Sequence, residues 1–169
     1  MVPIPVFRVL RPAVDVCLAL ALLAAVPALP AAAQAPATAQ DAGPTEPLTI
    51  RSKSGSHAFA VEVMRDDASR ARGLMFRRSM APDHGMLFDF GQVLPVNMWM
   101  KNTYLPLDMV FIRADGTVAR VAADTEPLST KVISSGEPIL SVLELNAGTA
   151  AKFGIRAGDR VEHSLFKPH

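Results

Sequence analysis

The sequence predicts a mainly β (α+β) fold, a compact single domain built as a small sandwich or a partly closed barrel with two short helices. Short apolar segments recur from residue 48 to the C-terminus, and turns rich in glycine, proline and aspartate separate them. Only residues 68–75 and 147–154 are predicted as short helices. Frequent short strands with few helices are typical of such domains.

The first half of this domain begins with a strand pair. Residues 48–51 and 58–65 alternate between apolar and polar side chains, and a loop containing serine and glycine joins them. Asp66 and Asp67 then precede the first helix, where the free N–H groups of the first turn favour acidic side chains. The segments that follow are predicted as a loop at 79–85, a strand at 86–90, a turn at 91–95 and a strand at 96–102.

The second half contains the most apolar strand. Residues 107–113 are apolar on both faces, which predicts a central position in the sheet. Asp115 and Gly116 form a hairpin turn signal that leads into a strand at 117–123. Further strands are predicted at 132–133, 139–146 and 161–166, with the second helix before the last of them.

The N-terminus has the three-part pattern of a secretory signal peptide over residues 1–33. A basic start precedes an apolar run at 14–26, and a small-residue cleavage site ends at Ala33. The run is shorter than the ~20 apolar residues that a membrane-spanning helix needs. We therefore expect a periplasmic or secreted protein with no stable membrane insertion after cleavage; an uncleaved anchor is the alternative.

Residues 34–47 are rich in alanine and proline and are predicted as a flexible linker, so the domain spans residues 48–169. The only cysteine, Cys17, lies in the signal segment. The exported chain would then have no disulfide, no thiolate metal site and no thiol nucleophile. Its core alone must hold the fold.

The charge of the exported chain argues against nucleic-acid binding. The full chain has 17 basic and 16 acidic residues. Loss of Arg8, Arg11 and Asp15 with the signal segment leaves 15 of each. A neutral chain has no global attraction to nucleic acid or to an anionic membrane.

Two carboxylates stand out because they interrupt apolar strand faces. Asp108 shares a face with Val110 and Ile112, and Glu144 shares one with Val142. A carboxylate in apolar surroundings becomes protonated or finds a partner. Asp108 and Glu144 are therefore candidate catalytic residues, an acid and a base acting on an envelope glycan. In the alternative interpretation, each pairs with a neighbouring cation or amide and only stabilises the fold.

Basic and sulfur-containing side chains form two further candidate sites. Arginines cluster between residues 65 and 78, and their planar guanidinium groups suit carboxylate or phosphate ligands, although a solvated helix face is the simpler interpretation. Met98 and Met100 are two residues apart on a predicted strand, so with His84 they are candidate ligands for Cu(I). Methionines that fill gaps in a small core are the alternative.

A polar turn at residues 101–104 supports the leading hypothesis, an exported binding module for a small polar or anionic molecule or an envelope component. Aromatic rings beside amide and hydroxyl groups are typical of small-molecule pockets. The sequence has no motif of the common hydrolases, NTPases or dehydrogenases and predicts no cofactor; it leaves the oligomeric state open. The candidate ligand-binding residues are Arg72, Arg77, Trp99, Lys101, Asn102 and Asp108.

The order and spacing of several motifs resemble the DUF192 (UPF0127) family over about residues 48–166. The resemblance implies a small mainly-β domain, often exported, and offers Arg72, Arg77, Trp99, Lys101, Asn102, Asp108 and Glu144 as candidates. Met98 departs from the aromatic residue expected before the tryptophan. The motifs are Arg72-Gly73-Leu74-Met75-Phe76-Arg77, Gly85-Met86-Leu87-Phe88, Trp99-Met100-Lys101-Asn102-Thr103, Leu105-Pro106-Leu107-Asp108, Leu143-Glu144-Leu145, Ala147-Gly148 and Ala157-Gly158-Asp159.

Overall fold

The computed structural model describes residues 43–166, and the predicted signal peptide and most of the predicted linker lie outside them. The mainly β prediction is confirmed, with two short helices. The strands are β1 (Glu46–Ser52), β2 (Gly55–Met64), β3 (His84–Met98), β4 (Leu107–Ile112), β5 (Val118–Thr125), β6 (Ile133–Asn146) and β7 (Arg160–Glu162). The helices are α1 (Asp67–Arg72) and α2 (Thr149–Phe153).

All seven strands belong to one curled sheet in the order β5-β4-β6-β3-β2-β1-β7. A bridge between Thr117 and Arg160 connects the two edges of this sheet, and the Val118 N–H donates to the Asp159 carbonyl at 2.8 Å. The partly closed barrel, rather than a two-sheet sandwich, is therefore the form that the strands take.

Among the strands of residues 43–166, only β2 and β3 form a parallel pair, and this pairing explains where α1 lies. Parallel neighbours cannot be joined by a tight turn, so the chain must cross over one face of the sheet. Helix α1 and the segment after it make this crossing. Asp66 caps the helix by accepting the Ser69 N–H at 2.8 Å. The helix ends at Arg72, earlier than predicted, because Gly73 adopts a left-handed φ of 47°.

The sheet buries apolar side chains on both faces, because successive residues of a strand point in opposite directions. Val110 and Leu143 belong to the first core cluster, which α2 and the C-terminal residues cover. Met109 and Phe111 belong to the second, which includes Leu74 from the crossing after α1. Strand β4 is buried at every position, as its apolar pattern predicts, although it is the second strand from one edge.

Strand β3 differs most from the prediction, because it runs without a turn through residues 91–95. The pairing of β3 with β6 shifts between Asp89 and Leu94, so the extra residues form a bulge instead. Gly91 adopts a φ of 68° in this bulge, and its N–H donates to the Asp89 side chain at 2.8 Å. The strand ends at Met98 rather than at residue 102.

The remaining differences concern strand ends. The strands predicted at 132–133 and 139–146 are one strand, β6, which follows the irregular pairing of β3. Strand β7 has only three residues, because the chain turns after Glu162. Strand β1 starts at Glu46, two residues before the predicted start of the domain, because Glu46 pairs with Val61 of β2.

Candidate functional site

The two candidate catalytic carboxylates lie on opposite faces of the sheet. Asp108 of β4 pairs with Leu145 of β6, and Met109 pairs with Glu144. Paired residues of neighbouring strands point to the same side. Asp108 therefore lies with Leu145 on the first core, and Glu144 lies with Met109 on the second. The shared cleft that the glycan-acting enzyme hypothesis requires is absent from the described residues.

Asp108 makes backbone amide contacts of the kind that the alternative interpretation describes. Its side chain is fully buried. One carboxylate oxygen accepts the Asp124 N–H at 2.8 Å, and the other accepts the Ala150 N–H at 2.7 Å. Ala150 lies in the first turn of α2, where free N–H groups attract a negative charge. Asp108 thus ties β4 to the end of β5 and to α2, and it is not accessible to a ligand.

Glu144 is also buried, but its carboxyl group has no partner of this kind. Glu144 is only 4% exposed, and its carboxyl group makes no hydrogen bond or ion pair with any other residue in the described range 43–166. Burial away from water raises the pKa of Glu144 to about 8. The group is therefore mostly protonated at neutral pH, as a neutral acid that can donate one hydrogen bond and accept another.

Glu144 lines a cavity of ≈ 30 Å³ on the second core face, together with Arg72, Trp99, Lys101 and Thr103. This volume suffices for one or two water-sized groups, because a buried water needs about 10–15 Å³ on the same measure. This cavity shares part of its lining with an adjoining groove of ≈ 210 Å³. Residues shared by the two are Arg70, Ala71, Phe88, Met98 and Trp99.

Trp99 and two cations, Arg72 and Lys101, are exposed side chains in the lining of the small cavity. The Trp99 side chain is 53% exposed, which is unusual for the only tryptophan of a small domain. The Lys101 ammonium group lies 5.7 Å from the centre of the Trp99 ring. Arg72 and Lys101 are both exposed, and neither makes an ion pair with a carboxylate among residues 43–166. Both remain available to a ligand.

Arg77 and Asn102, also predicted as ligand-binding residues, make internal contacts instead. Both terminal guanidinium nitrogens of Arg77 donate to the carboxylate of Glu62, one of them at 2.8 Å. Burial would raise the pKa of Glu62, but hydrogen bonds from Arg77 and from the Gly43 amide lower it overall. Asn102 has a left-handed φ of 57°, and its carbonyl accepts the Phe76 N–H at 2.8 Å. Neither side chain lines the groove.

The arginine cluster of the sequence is divided among different roles. Arg70 forms an ion pair with Asp67 and donates to the Asp89 carbonyl at 2.7 Å, which fastens α1 to β3. Arg65 pairs with Glu46 at 2.8 Å. Arg78 lies over the Tyr104 ring, 5.0 Å from its centre. Arg72 alone of this cluster combines exposure with a position beside Glu144.

The three candidate Cu(I) ligands are not brought together by a shared strand face. Strand β3 ends at Met98, so the two-residue spacing no longer sets the direction of Met100. Met98 lines the groove beside Trp99, whereas Met100 is buried and accepts the Thr125 hydroxyl at 3.2 Å. His84 pairs with Ala60 at the other end of β3. Within residues 43–166, no three His, Cys, Asp or Glu side chains form a group that could hold a metal ion.

Sequence reasoning missed Met98 and Phe88 as residues that line the site. It did identify the polar turn at residues 101–104, and Thr103 of this turn is buried in the cavity lining. The relevant signal for Phe88 was available, because strand alternation places it on the face of Met86, which pairs with Glu144. For Met98, the sequence analysis predicts only a sulfur ligand. Neither α1 nor α2, the helices within residues 43–166, has the length and apolar content of a membrane span.

Comparison with known proteins identifies one family and two similar structures. The DUF192 family model, described as an uncharacterized ACR, matches residues 49–163. No match is found among curated proteins. A structure from Sinorhizobium meliloti 1021, described as a candidate transcription regulator, is 52% identical, with 72% of this chain and 95% of that chain covered and a TM-score of 0.70. A protein of unknown function from Novosphingobium aromaticivorans DSM 12444 is 39% identical, with 78% and 94% covered and a TM-score of 0.71.

Proposed function

The chain belongs to the DUF192 family, and we propose that its domain is an exported binding module for a small, oxygen-rich, anionic ligand. The ligand would occupy the ≈ 30 Å³ cavity beside Glu144 and the adjoining groove of ≈ 210 Å³ beside Trp99, and we call these two parts together the Trp99 groove. Export rests on the signal pattern of residues 1–33. The binding site rests on Glu144, whose buried carboxyl group has no partner among residues 43–166 and lines a cavity of ≈ 30 Å³.

An unpartnered buried carboxyl group costs stability unless something else satisfies it. The penalty for an unsatisfied buried polar group is about 1–3 kcal/mol. A polar group of a ligand that enters the small cavity would remove this penalty on binding. The cavity is too small for more than such a group, so the rest of the ligand would lie in the adjoining ≈ 210 Å³ beside Trp99.

The charges around the groove favour an anion. Arg72 and Lys101 are exposed cations at the groove, and Glu144 is mostly neutral at pH 7 because burial raises its pKa to about 8. A protonated carboxyl group donates its O–H to an acceptor oxygen, whereas an ionised one would repel an anion. The exposed face of Trp99 supplies apolar contact for a ring or carbon chain.

The simplest competing explanation is that one water molecule fills the small cavity and satisfies Glu144. Water would explain the cavity but not the exposed Trp99 ring or the two available cations beside it. The enzyme hypothesis has less support, because Asp108 faces the other core. Nor do we extend the regulator description of the Sinorhizobium protein to this chain, because Arg65, Arg70 and Arg77 are engaged with carboxylates rather than free for phosphate.

Intrinsic fluorescence gives a direct test, because Trp99 is the only tryptophan. The protein is expressed as the full chain, purified after export and titrated with phosphate, small carboxylates, sugar phosphates and neutral sugars. We expect a saturable change with an anionic compound, and binding that weakens as the pH rises through about 8, where Glu144 ionises. Arg72→Gln should weaken binding roughly three- to tenfold.

Two variants make the test specific. Lys53→Gln removes an exposed cation from the turn between β1 and β2, outside the groove, and should leave affinity unchanged. Glu144→Gln keeps a hydrogen-bond donor without an ionisable group, so it should retain binding and abolish its pH dependence. The proposal would be overturned if the Lys53 and Arg72 variants lost affinity equally. It would also be overturned if no compound of the panel gave a saturable fluorescence change.

A further inference from the structure

A second, larger cavity lies away from the Trp99 groove, between β5, the start of β6 and the loop that joins them. Its volume is ≈ 570 Å³, within the range of about 300–1,000 Å³ that is typical of small-molecule sites. None of its lining residues lines the Trp99 groove. No motif in the sequence marks this cavity, although all of its lining residues except Met100 lie between residues 120 and 136.

The loop that forms one wall of this cavity is held in place by backbone hydrogen bonds. The Met100 N–H donates to the Ser129 carbonyl at 3.0 Å, and the Leu128 N–H donates to the Thr103 carbonyl at 3.0 Å. Leu128 has a left-handed φ of 63°, a conformation that costs an L-residue about 1–2 kcal/mol. The wall is therefore a preformed part of the fold.

The floor of the cavity is apolar. Met100 is 1% exposed, and Ala122 and Ile133 pack against the second core cluster. Val132 extends this surface to the mouth, where its side chain is 58% exposed. An exposed branched apolar side chain beside an apolar floor gives a carbon chain a surface on which to be buried.

Two cations lie on this apolar surface. The guanidinium group of Arg120 donates to the Ser134 carbonyl and lies 5.5 Å from the centre of the Phe111 ring. These contacts fix its position and leave further N–H donors for another acceptor. Lys131 is exposed and has no ion pair among residues 43–166. Glu126 is the acidic side chain of the lining, so the cavity carries a net positive charge.

We propose that this cavity is a second ligand site, which takes a small amphipathic anion: an aliphatic chain that ends in a carboxylate or a phosphate. The chain lies on Met100, Ala122 and Ile133, and the anionic end lies between Arg120 and Lys131. A carboxylate and a phosphate monoester share the chemistry that these two cations recognise. The proposal does not depend on the function of the Trp99 groove.

Methionine methyl resonances can separate the two sites. Met100 lines the second cavity, and Met98 lines the Trp99 groove. Protein labelled with carbon-13 at the methionine methyl groups is titrated with octanoate, octyl phosphate, octanol and octylammonium, and Met98→Leu and Met100→Leu variants assign the two signals. We expect octanoate or octyl phosphate to shift the Met100 methyl resonance in a saturable way and to leave that of Met98 unchanged. Comparison of the two titrations shows which anionic head group the site prefers.

Substitutions of the cations complete the test. Lys131→Gln removes a charge without breaking an internal contact and should weaken anion binding roughly three- to tenfold, with no change for octanol. Arg120→Gln should weaken it roughly tenfold or more, but it also removes the contact with Ser134, so Lys131 is the cleaner variant. Equal binding of octylammonium, parallel shifts of Met98 and Met100, or no shift of Met100 at all would overturn the proposal.

Discussion

Asp108 and Glu144 are buried carboxylates on neighbouring strands, and their surroundings are opposite. Asp108 accepts two backbone N–H groups, from Asp124 and Ala150, on the first core face. Glu144 lies one pairing position away on the second face, accepts none among the described residues and lines a cavity. The first carboxylate completes the fold, whereas the second leaves part of its hydrogen-bonding capacity to something else.

The comparison shows that burial of a charged side chain does not by itself identify a functional site. The partners of the group decide its role, since a carboxylate that accepts several N–H groups is satisfied and one without them is not. The same distinction separates Arg77, which pairs with buried Glu62, from exposed Arg72. The experiments below test this distinction, beginning with the largest expected effect.

Replacement of Asp108 should be the most damaging change, because it leaves two N–H groups without an acceptor. We expect Asp108→Ala to lower the free energy of unfolding by about 3–6 kcal/mol, since each of the two lost bonds to a charged group costs about 1.5–3 kcal/mol. Urea denaturation followed by circular dichroism measures the loss. Asp108→Asn, which can still accept one of the two bonds, should lose about half as much. A loss below about 1 kcal/mol for the alanine variant would show that Asp108 is not structural.

Replacement of Glu144 should raise the free energy of unfolding at alkaline pH, whereas replacement of Asp108 lowers it. The ordinary pKa of Glu144 is 4.5, and burial raises it to about 8 in the folded state. Below pH 4.5 the group is protonated in both states. Between these values the unfolded chain ionises and the folded protein does not, so the stability of the wild type falls as the pH rises and levels off above about 8.

Glu144→Gln removes this pH-dependent loss. We expect the variant to be more stable than the wild type by about 4–5 kcal/mol near pH 8 and to differ from it little near pH 4. Urea denaturation of both proteins across this range gives the two curves. Parallel curves, with the same difference at acid and alkaline pH, would contradict an unpartnered carboxyl group at position 144.

A substitution at Gly73, in the wall of the Glu144 cavity, should have a smaller effect on stability. A side chain there would require a residue at a φ of 47° and would bring a Cβ atom within 3.0 Å of the Phe88 ring. Gly73→Ala should therefore cost about 1–2 kcal/mol and displace Phe88, which lines both parts of the Trp99 groove. The fluorescence titration of Trp99 should show weaker ligand binding. Gly154→Ala is the control, because Gly154 has a φ of 61°, has no atom near its added Cβ and lines neither proposed site, so this change should affect only stability.

Strand pattern was sufficient to predict much of this fold but not the difference between the two carboxylates. The apolar alternation of β4 and β6 predicted both strands and showed that Asp108 and Glu144 point into apolar surroundings. The partners of Asp108 lie 16 and 42 residues away, and no local pattern predicts that their N–H groups converge on it. Which face each carboxylate occupies depends on the pairing register, which the sequence does not specify directly.

Two other features escaped prediction for similar reasons. The bulge in β3 resembles a turn in sequence, because glycine and proline mark both, and only the pairing with β6 distinguishes them. The second cavity depends on backbone hydrogen bonds between the segment at Met100 and the loop at Ser129. In contrast, Trp99, Lys101 and Arg72 were predicted to share a pocket, and they line one cavity.

A direct measurement of the pKa of Glu144 tests the central claim. Carbon-13 labelling of glutamate side-chain carboxyl groups resolves each one by NMR, and Glu144→Gln assigns its signal by loss of one resonance. An unpartnered carboxyl group in this cavity predicts a titration midpoint near 8. A midpoint at or below the ordinary value of 4.5 would mean that Glu144 is already ion-paired or fully hydrated, and the case for a ligand site at the Trp99 groove would then fail.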